Sequence, residues 1–264
     1  MTRVGGAAEL PDVTISESRG IRYLHLDTPW IQGAMRIDEP LTIELEYVQR
    51  MMAWLLFRES EQFAEARAVQ LGLGAAAITR FCLALGMRTT AVEINPQVVA
   101  ACRAWFRLPH EAPGLEVLTI DAADFVAEPG RRGSVDVLAV DLYDHEAASP
   151  VLDSQAFYRD CHALLADGGL MTVNLFGRDA SFERSRARIA AAFGTGAVHD
   201  FKPTREGNVI VLAMKHVTVP GLDELARRAE NIQTRWNLPA RKWLRMLRLK
   251  PEPDPAPLPD LPPA

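Results

Sequence analysis

Cysteine is scarce in this chain, and long apolar runs are missing. The three cysteines among 264 residues, Cys82, Cys102 and Cys161, sit in apolar helical contexts without C-x-x-C or cysteine–histidine spacing. That pattern excludes a disulfide scaffold and a zinc finger and predicts buried, reduced thiols. His25, His110, His145, His162, His199 and His216 show no ligand spacing either, so no metal is expected. No segment reaches the roughly 18 apolar residues of a membrane span, and the first residues lack the basic start and apolar stretch of an export signal, so a cytoplasmic protein is expected. Positive charge is not in excess: 29 Lys and Arg stand against 34 Asp and Glu, a net charge of −5. This argues against a protein whose main partner is nucleic acid.

What is present is a composition of 48% hydrophobic and 24% charged residues, enough for one large globular domain. Pattern divides it as follows. Residues 1–40 form a tail, loose over residues 1–15, and a small hairpin built from Ile21 to Leu26 and Ile31 to Ile37. Residues 41–216 form the main domain. Residues 217–250 form a basic helical extension, and residues 251–264, PEPDPAPLPDLPPA, a disordered proline-rich tail. At the start of the main domain Leu45, Val48, Met51, Met52, Leu55 and Leu56 fall at helical spacing and predict an amphipathic helix of roughly fifteen residues. In the extension, 222–249 reads as one helix whose arginines face Trp236, Trp243, Leu244 and Leu247. Such a helix fits an anionic surface or RNA, or packs on its own domain with a solvated basic face.

The centre of the chain is the stretch 68–77, AVQLGLGAAA, which reads as strand, tight turn at Gly72 and Gly74, then helix. Strand and helix patterns alternate after it, with strands at 89–92, 115–120, 135–140 and 170–176 and a closing antiparallel pair at 197–201 and 209–214. This predicts an α/β domain with a mostly parallel seven-stranded sheet. Ligands bind such sheets outside the carboxyl ends of the strands. There the chain places the Gly72 turn, Glu93, Asp121 and Asp141. Glu93 has the spacing of an acid that accepts from both ribose hydroxyls, and equally that of a cap before Asn95-Pro96. Asp121, with the amide of Ala122, could take an adenine edge or cap a short helix.

The order glycine turn, acid, Asp-Ala, Asp resembles the Rossmann-like class I S-adenosylmethionine-dependent methyltransferase fold. Within it the chain is similar to the spermidine synthase (polyamine aminopropyltransferase) family. Three stretches carry the closer likeness: Tyr47-Val48-Gln49-Arg50-Met51-Met52-Ala53; the segment 91–99, AVEINPQVV; and Asp141-Leu142-Tyr143-Asp144, followed by Phe157-Tyr158 and Gly168-Gly169-Leu170. The resemblance implies a transferase for an adenosyl-sulfonium donor, S-adenosylmethionine or its decarboxylated form. Gln49, Gly72, Gly74, Glu93, Asp121 and Ala122 would lie on that donor. Asp141 would accept the proton of an attacking amine or polyamine, or serve as a structural strand-end acid. Asp144 would hold a cationic part of the acceptor, or be a plain loop acid. Tyr143 and Trp54 could wall the acceptor pocket or be ordinary packing residues. A homodimer is implied as well. The family reads Gly-Gly-Gly-Asp-Gly-Gly where this chain has Gly72-Leu73-Gly74-Ala75-Ala76-Ala77, so Ala75 replaces an aspartate. That replacement keeps two alternatives open: a methyltransferase on the same scaffold, and a catalytically silent nucleoside- or partner-binding paralogue.

Overall fold

The structure, a computed structural model, describes residues 10–142, 153–176 and 181–249. Three antiparallel strands open it: β1 (Val13–Ser18), β2 (Ile21–Leu26) and β3 (Gly33–Arg36), in the order β1-β2-β3. The expected hairpin is thus extended by β1, which takes up part of the segment predicted to be loose. The reason is local: Arg19 and Gly20, at φ +51° and +76°, make a two-residue turn of the sort that joins twisted strands, and Val13 and Ile15 alternate inward from it.

A helix, α1 (Glu46–Met51), and a 3₁₀ segment (Met52–Leu56) lead to the central sheet. The amphipathic helix predicted here is interrupted because residues 51–56 are all buried and have no solvent face. Then follow β4 (Arg67–Leu71), α2 (Ala77–Ala84), β5 (Arg88–Val92), α3 (Pro96–Trp105), β6 (Leu115–Leu118), α4 (Ala122–Ala127), β7 (Val135–Val140), α5 (Gln155–Leu164), β8 (Leu165–Phe176), α6 (Ser181–Phe193), β9 (Val198–Phe201) and β10 (Asn208–Met214). The described residues close with α7 (Leu222–Trp236), α8 (Ala240–Met246) and β11 (Leu247–Arg248). Strand order is β11-β9-β10-β8-β7-β4-β5-β6, parallel from β8 to β6 and antiparallel beyond β8. The seven expected strands are there. The eighth, β11, comes from the extension and pairs Leu247 with Phe201.

Alternation along the strands builds two cores. Ala68, Val137, Ala139 and Ile210 face α1, α2, α7 and α8, whereas Val69, Leu138, Val140 and Val211 face α4, α5 and α6. A third cluster joins the N-terminal sheet to α3 through Leu24, Met35, Val98 and Phe106, with Leu73 and Ala75 of the glycine turn inside it. The extension is two helices because Asn237 turns left-handed at φ +53° and Pro239 follows. Leu225, Ala229, Ile232 and Trp243 pack into the first core. Much of the basic face is neutralised: Arg227 and Arg228 pair with Glu224, and Arg241 pairs with Glu230. Among the described residues no helix is long and apolar enough to cross a membrane.

Strand order reverses at β4, which has β5 on one side and β7 on the other. The crevice outside the ends of β4 and β7 is therefore the switch point of the sheet, and Gly72 and Asp141 stand at its two lips.

Candidate active site

The glycine turn is held in place by contacts that only the fold brings together. Gly72 turns at φ +82°, and a Cβ there would lie 2.1 Å from the Asp141 carbonyl oxygen, so the ends of β4 and β7 touch. Gly74, at φ +49°, lies under the N-terminal segment, where a Cβ would meet the Gln32 carbonyl at 2.9 Å. Ala76 then adopts φ +56° as it enters α2, a left-handed conformation that costs an alanine about 1–2 kcal/mol. Glycine at this position in the family pattern would carry no such strain.

Three buried polar side chains support the turn. The Gln70 amide donates to the carbonyls of Gly72 (2.7 Å) and Leu73 (3.1 Å), and its oxygen accepts from the backbone and hydroxyl of Thr79. Arg80 donates to the carbonyls of Pro40, Ala75 and Phe106. Burial pulls its guanidinium down to about 10. The Cys102 thiol donates to the Gly74 carbonyl at 3.0 Å; burial pushes this thiol and that of Cys82 up to about 12, leaving both protonated and unreactive.

The acids at the strand ends differ in their free valence. Glu93, after β5, accepts from the Leu73 and Asn95 amides, one at each oxygen at 2.9 Å. Burial raises its carboxyl above the ordinary range, and those backbone bonds oppose the shift. Each oxygen retains a further lone pair for a ribose hydroxyl. Asp121, after β6, caps α4 by accepting from the Ala123 amide at 2.7 Å through Oδ1.

Asp141, after β7, is a buried carboxyl held between two donors. Tyr47 of α1 donates to its Oδ2 at 3.2 Å, and Asn174 of β8 donates to its Oδ1 at 2.8 Å. Asn208 of β10 orients that amide by donating to the Asn174 oxygen at 3.1 Å. Burial pushes Asp141 up to about 6, although both hydrogen bonds favour the charged form. A carboxylate so placed is charged at neutral pH yet basic enough to take a proton. Tyr47, itself driven well above its usual value by burial and by Asp141, remains a phenol donor. Asp141 and Tyr47 line one cavity together with Glu44, Gln70, Gly74 and Ala75.

No family model matches the chain. A polyamine aminopropyltransferase of Neisseria meningitidis is 32% identical over 241 residues, which is 90% of this chain and 89% of that relative. The chain belongs to the polyamine aminopropyltransferase family. Solved structures agree on the fold. A probable spermidine synthase from Corynebacterium glutamicum matches with a TM-score of 0.68 at 19% identity, covering 97% of this chain and 99% of that one. A spermidine synthase in complex with the transition state analogue AdoDATO matches with a TM-score of 0.62 at 18% identity, over 88% and 78% of the two chains.

Of the residues singled out from the family pattern, Gly74 and Asp141 meet in one cavity, and the Gly72 backbone abuts Asp141. Glu93, Asp121 and Ala122 stand at neighbouring strand ends outside that lining, with Ala122 buried against the second core. Gln49 is not on the cavity. Its amide donates to the Ile43 carbonyl at 2.7 Å and so braces the segment in front of α1. Trp54 does not wall the acceptor side; it is buried edge-on against Phe63 in the first core. Asp144, Tyr143 and His145 lie outside the described residues. The residues that pattern did not single out as site residues are Tyr47, Asn174, Gln70, Arg80 and Glu44. Gln70 and Asn174 were detectable as lone polar side chains in apolar strands.

The Asn174 bond gives a test. Replacing Asn174 with leucine removes a donor that favours the Asp141 carboxylate, so protonation must occur at higher pH. The acidic limb of the kcat profile, expected near 6 in the native enzyme, should move up by about one pH unit. Steady-state rates between pH 5 and 9 measure it.

Proposed function

We propose that this chain transfers an aminopropyl group from decarboxylated S-adenosylmethionine to an amine or polyamine. The observation that carries the reading is a buried carboxyl at about 6, Asp141, at the switch point beside the glycine turn of a chain from this family. In the reaction the acceptor nitrogen attacks the methylene next to the sulfonium. The new C–N bond forms as the C–S bond breaks, and the electron pair returns to sulfur, leaving neutral methylthioadenosine. The leaving group needs little help. The nucleophile needs more, because an alkylamine with a reference pKa of about 10 is mostly protonated at neutral pH. Asp141 orients the amine and takes its proton, Tyr47 and Asn174 hold the carboxylate, and Asp144 serves the cationic remainder of the acceptor. Glu93 is the ribose acceptor, Asp121 with the Ala122 amide the adenine contact. The enzyme so proposed is a homodimer, as the family resemblance implies, and works in the cytoplasm.

Calorimetry with the two sulfonium donors tests the reading. The decarboxylated form should bind more tightly and, with an amine present, yield methylthioadenosine. Tighter binding of S-adenosylmethionine with methyl transfer would establish the alternative that the alanine at position 75 leaves open.

A further inference from the structure

A decarboxylated donor ends in a primary ammonium, and the family aspartate that resembles a partner for it is Ala75 in this chain. The alanine is not a vacancy waiting for a longer side chain. Ala75 is buried, and its Cβ sits under β3, where a Cβ built on Gly33 would fall 2.6 Å from it. A charge for the ammonium therefore has to come from another part of the cavity. Among the described residues, the acidic residue in the cavity lining besides Asp141 is Glu44, in the segment just before α1.

We propose that Glu44 binds the ammonium of the donor's aminopropyl tail, replacing the aspartate lost at position 75. This rests on the aminopropyl-transfer reading above. Three observations converge. Glu44 shares the cavity with Gly74, Ala75 and Asp141. Its segment is fixed to the donor turn: Arg80 spans from the Pro40 carbonyl to the Ala75 carbonyl, and Gln49 holds the Ile43 carbonyl. Its carboxylate already holds a cation, the Arg36 guanidinium, with Nε 2.7 Å from Oε2. Arg36 is half-exposed at the end of β3, whereas Glu44 is mostly covered. An ion pair with an exposed partner is weak and readily exchanged, so Arg36 can return to water when a substrate ammonium arrives. Asp141 is then left to the acceptor amine, and the two carboxylates divide donor tail from nucleophile.

The test compares decarboxylated S-adenosylmethionine with methylthioadenosine, which has the same nucleoside and no ammonium, by calorimetry on the full chain. Glu44→Gln should weaken the donor by about tenfold to a hundredfold, the value of a charge-assisted contact, and leave methylthioadenosine affinity unchanged. Arg36→Gln should do the opposite, strengthening the donor relative to methylthioadenosine by removing the competing cation. A loss in Glu44→Gln shared equally by both ligands, or no loss, together with no gain in Arg36→Gln, overturns the assignment. So does a change confined to the acceptor KM, which would place the acceptor there instead. Failure of the aminopropyl-transfer reading registers separately: the native chain would then bind S-adenosylmethionine more tightly than the decarboxylated form and release no methylthioadenosine when an amine is added.

Discussion

Asp141→Asn is expected to lower kcat about 10²- to 10⁴-fold, the usual range for removing a positioned general base. Binding of methylthioadenosine should persist, because Glu93 and Asp121, the proposed nucleoside contacts, are unchanged. Steady-state kinetics with the decarboxylated donor and an amine measure the first effect, and calorimetry the second. The same variant should reveal what the base costs the fold. Asp141 is raised by burial from 3.8 to about 6, so its folded pKa lies above the unfolded one. The sign follows: its contribution to stability is fully present below about pH 4 and is lost as pH rises through 6, leaving a desolvated charge. The asparagine variant escapes that penalty, of about 3 kcal/mol at most, above pH 6. Part of the gain is offset because Tyr47 and Asn174 both donate to this side chain, and an amide offers one acceptor oxygen where the carboxylate offered two. Denaturant melts at pH 5 and pH 8 should therefore show the variant gaining on the native protein as pH rises.

Arg80→Met should be the most damaging single change in the fold among those considered, lowering stability by about 3–5 kcal/mol. The buried guanidinium satisfies three carbonyls, those of Pro40, Ala75 and Phe106, and a methionine satisfies none of them. Removing a desolvated cation returns some free energy, but three buried carbonyls without donors cost more. Typical domains have only about 5–15 kcal/mol to lose, so the variant should unfold at much lower urea. Because Arg80 holds the glycine turn against the segment that carries Glu44, donor affinity should fall with stability even under conditions where the variant remains folded.

These effects bear on which features a reader of the chain can see. The glycine turn and the acids at 93, 121 and 141 were visible because each is a local event, the polar residue that ends an apolar strand. The face of α1 was not. Tyr47 and Gln49 are two residues apart and so about 200° apart around a helix. The residues that follow are buried on all sides, so no polar stripe marks which side chain meets the cavity. The resemblance favoured Gln49, whereas Tyr47 is the residue that reaches Asp141. Trp54 stayed open between wall and core for the same reason: a large aromatic reads alike in both, and the structure places it in the core. The first N-terminal strand, β1, and β11 escaped because a short strand is defined by its partner more than by its own residues.

Order along the chain was thus enough to determine the α/β alternation, the parallel sheet and the strand ends at which chemistry would be found, since a period of two or of 3.6 residues needs only neighbours in sequence. Pairings across the chain were decided by the tertiary structure alone. Tyr47 and Asp141 are 94 residues apart, and Arg80 meets Pro40 across 40. No local pattern specifies such a contact, and yet burial among those distant partners is what raises Asp141 to about 6 and suits a strand-end aspartate to the proposed role of base.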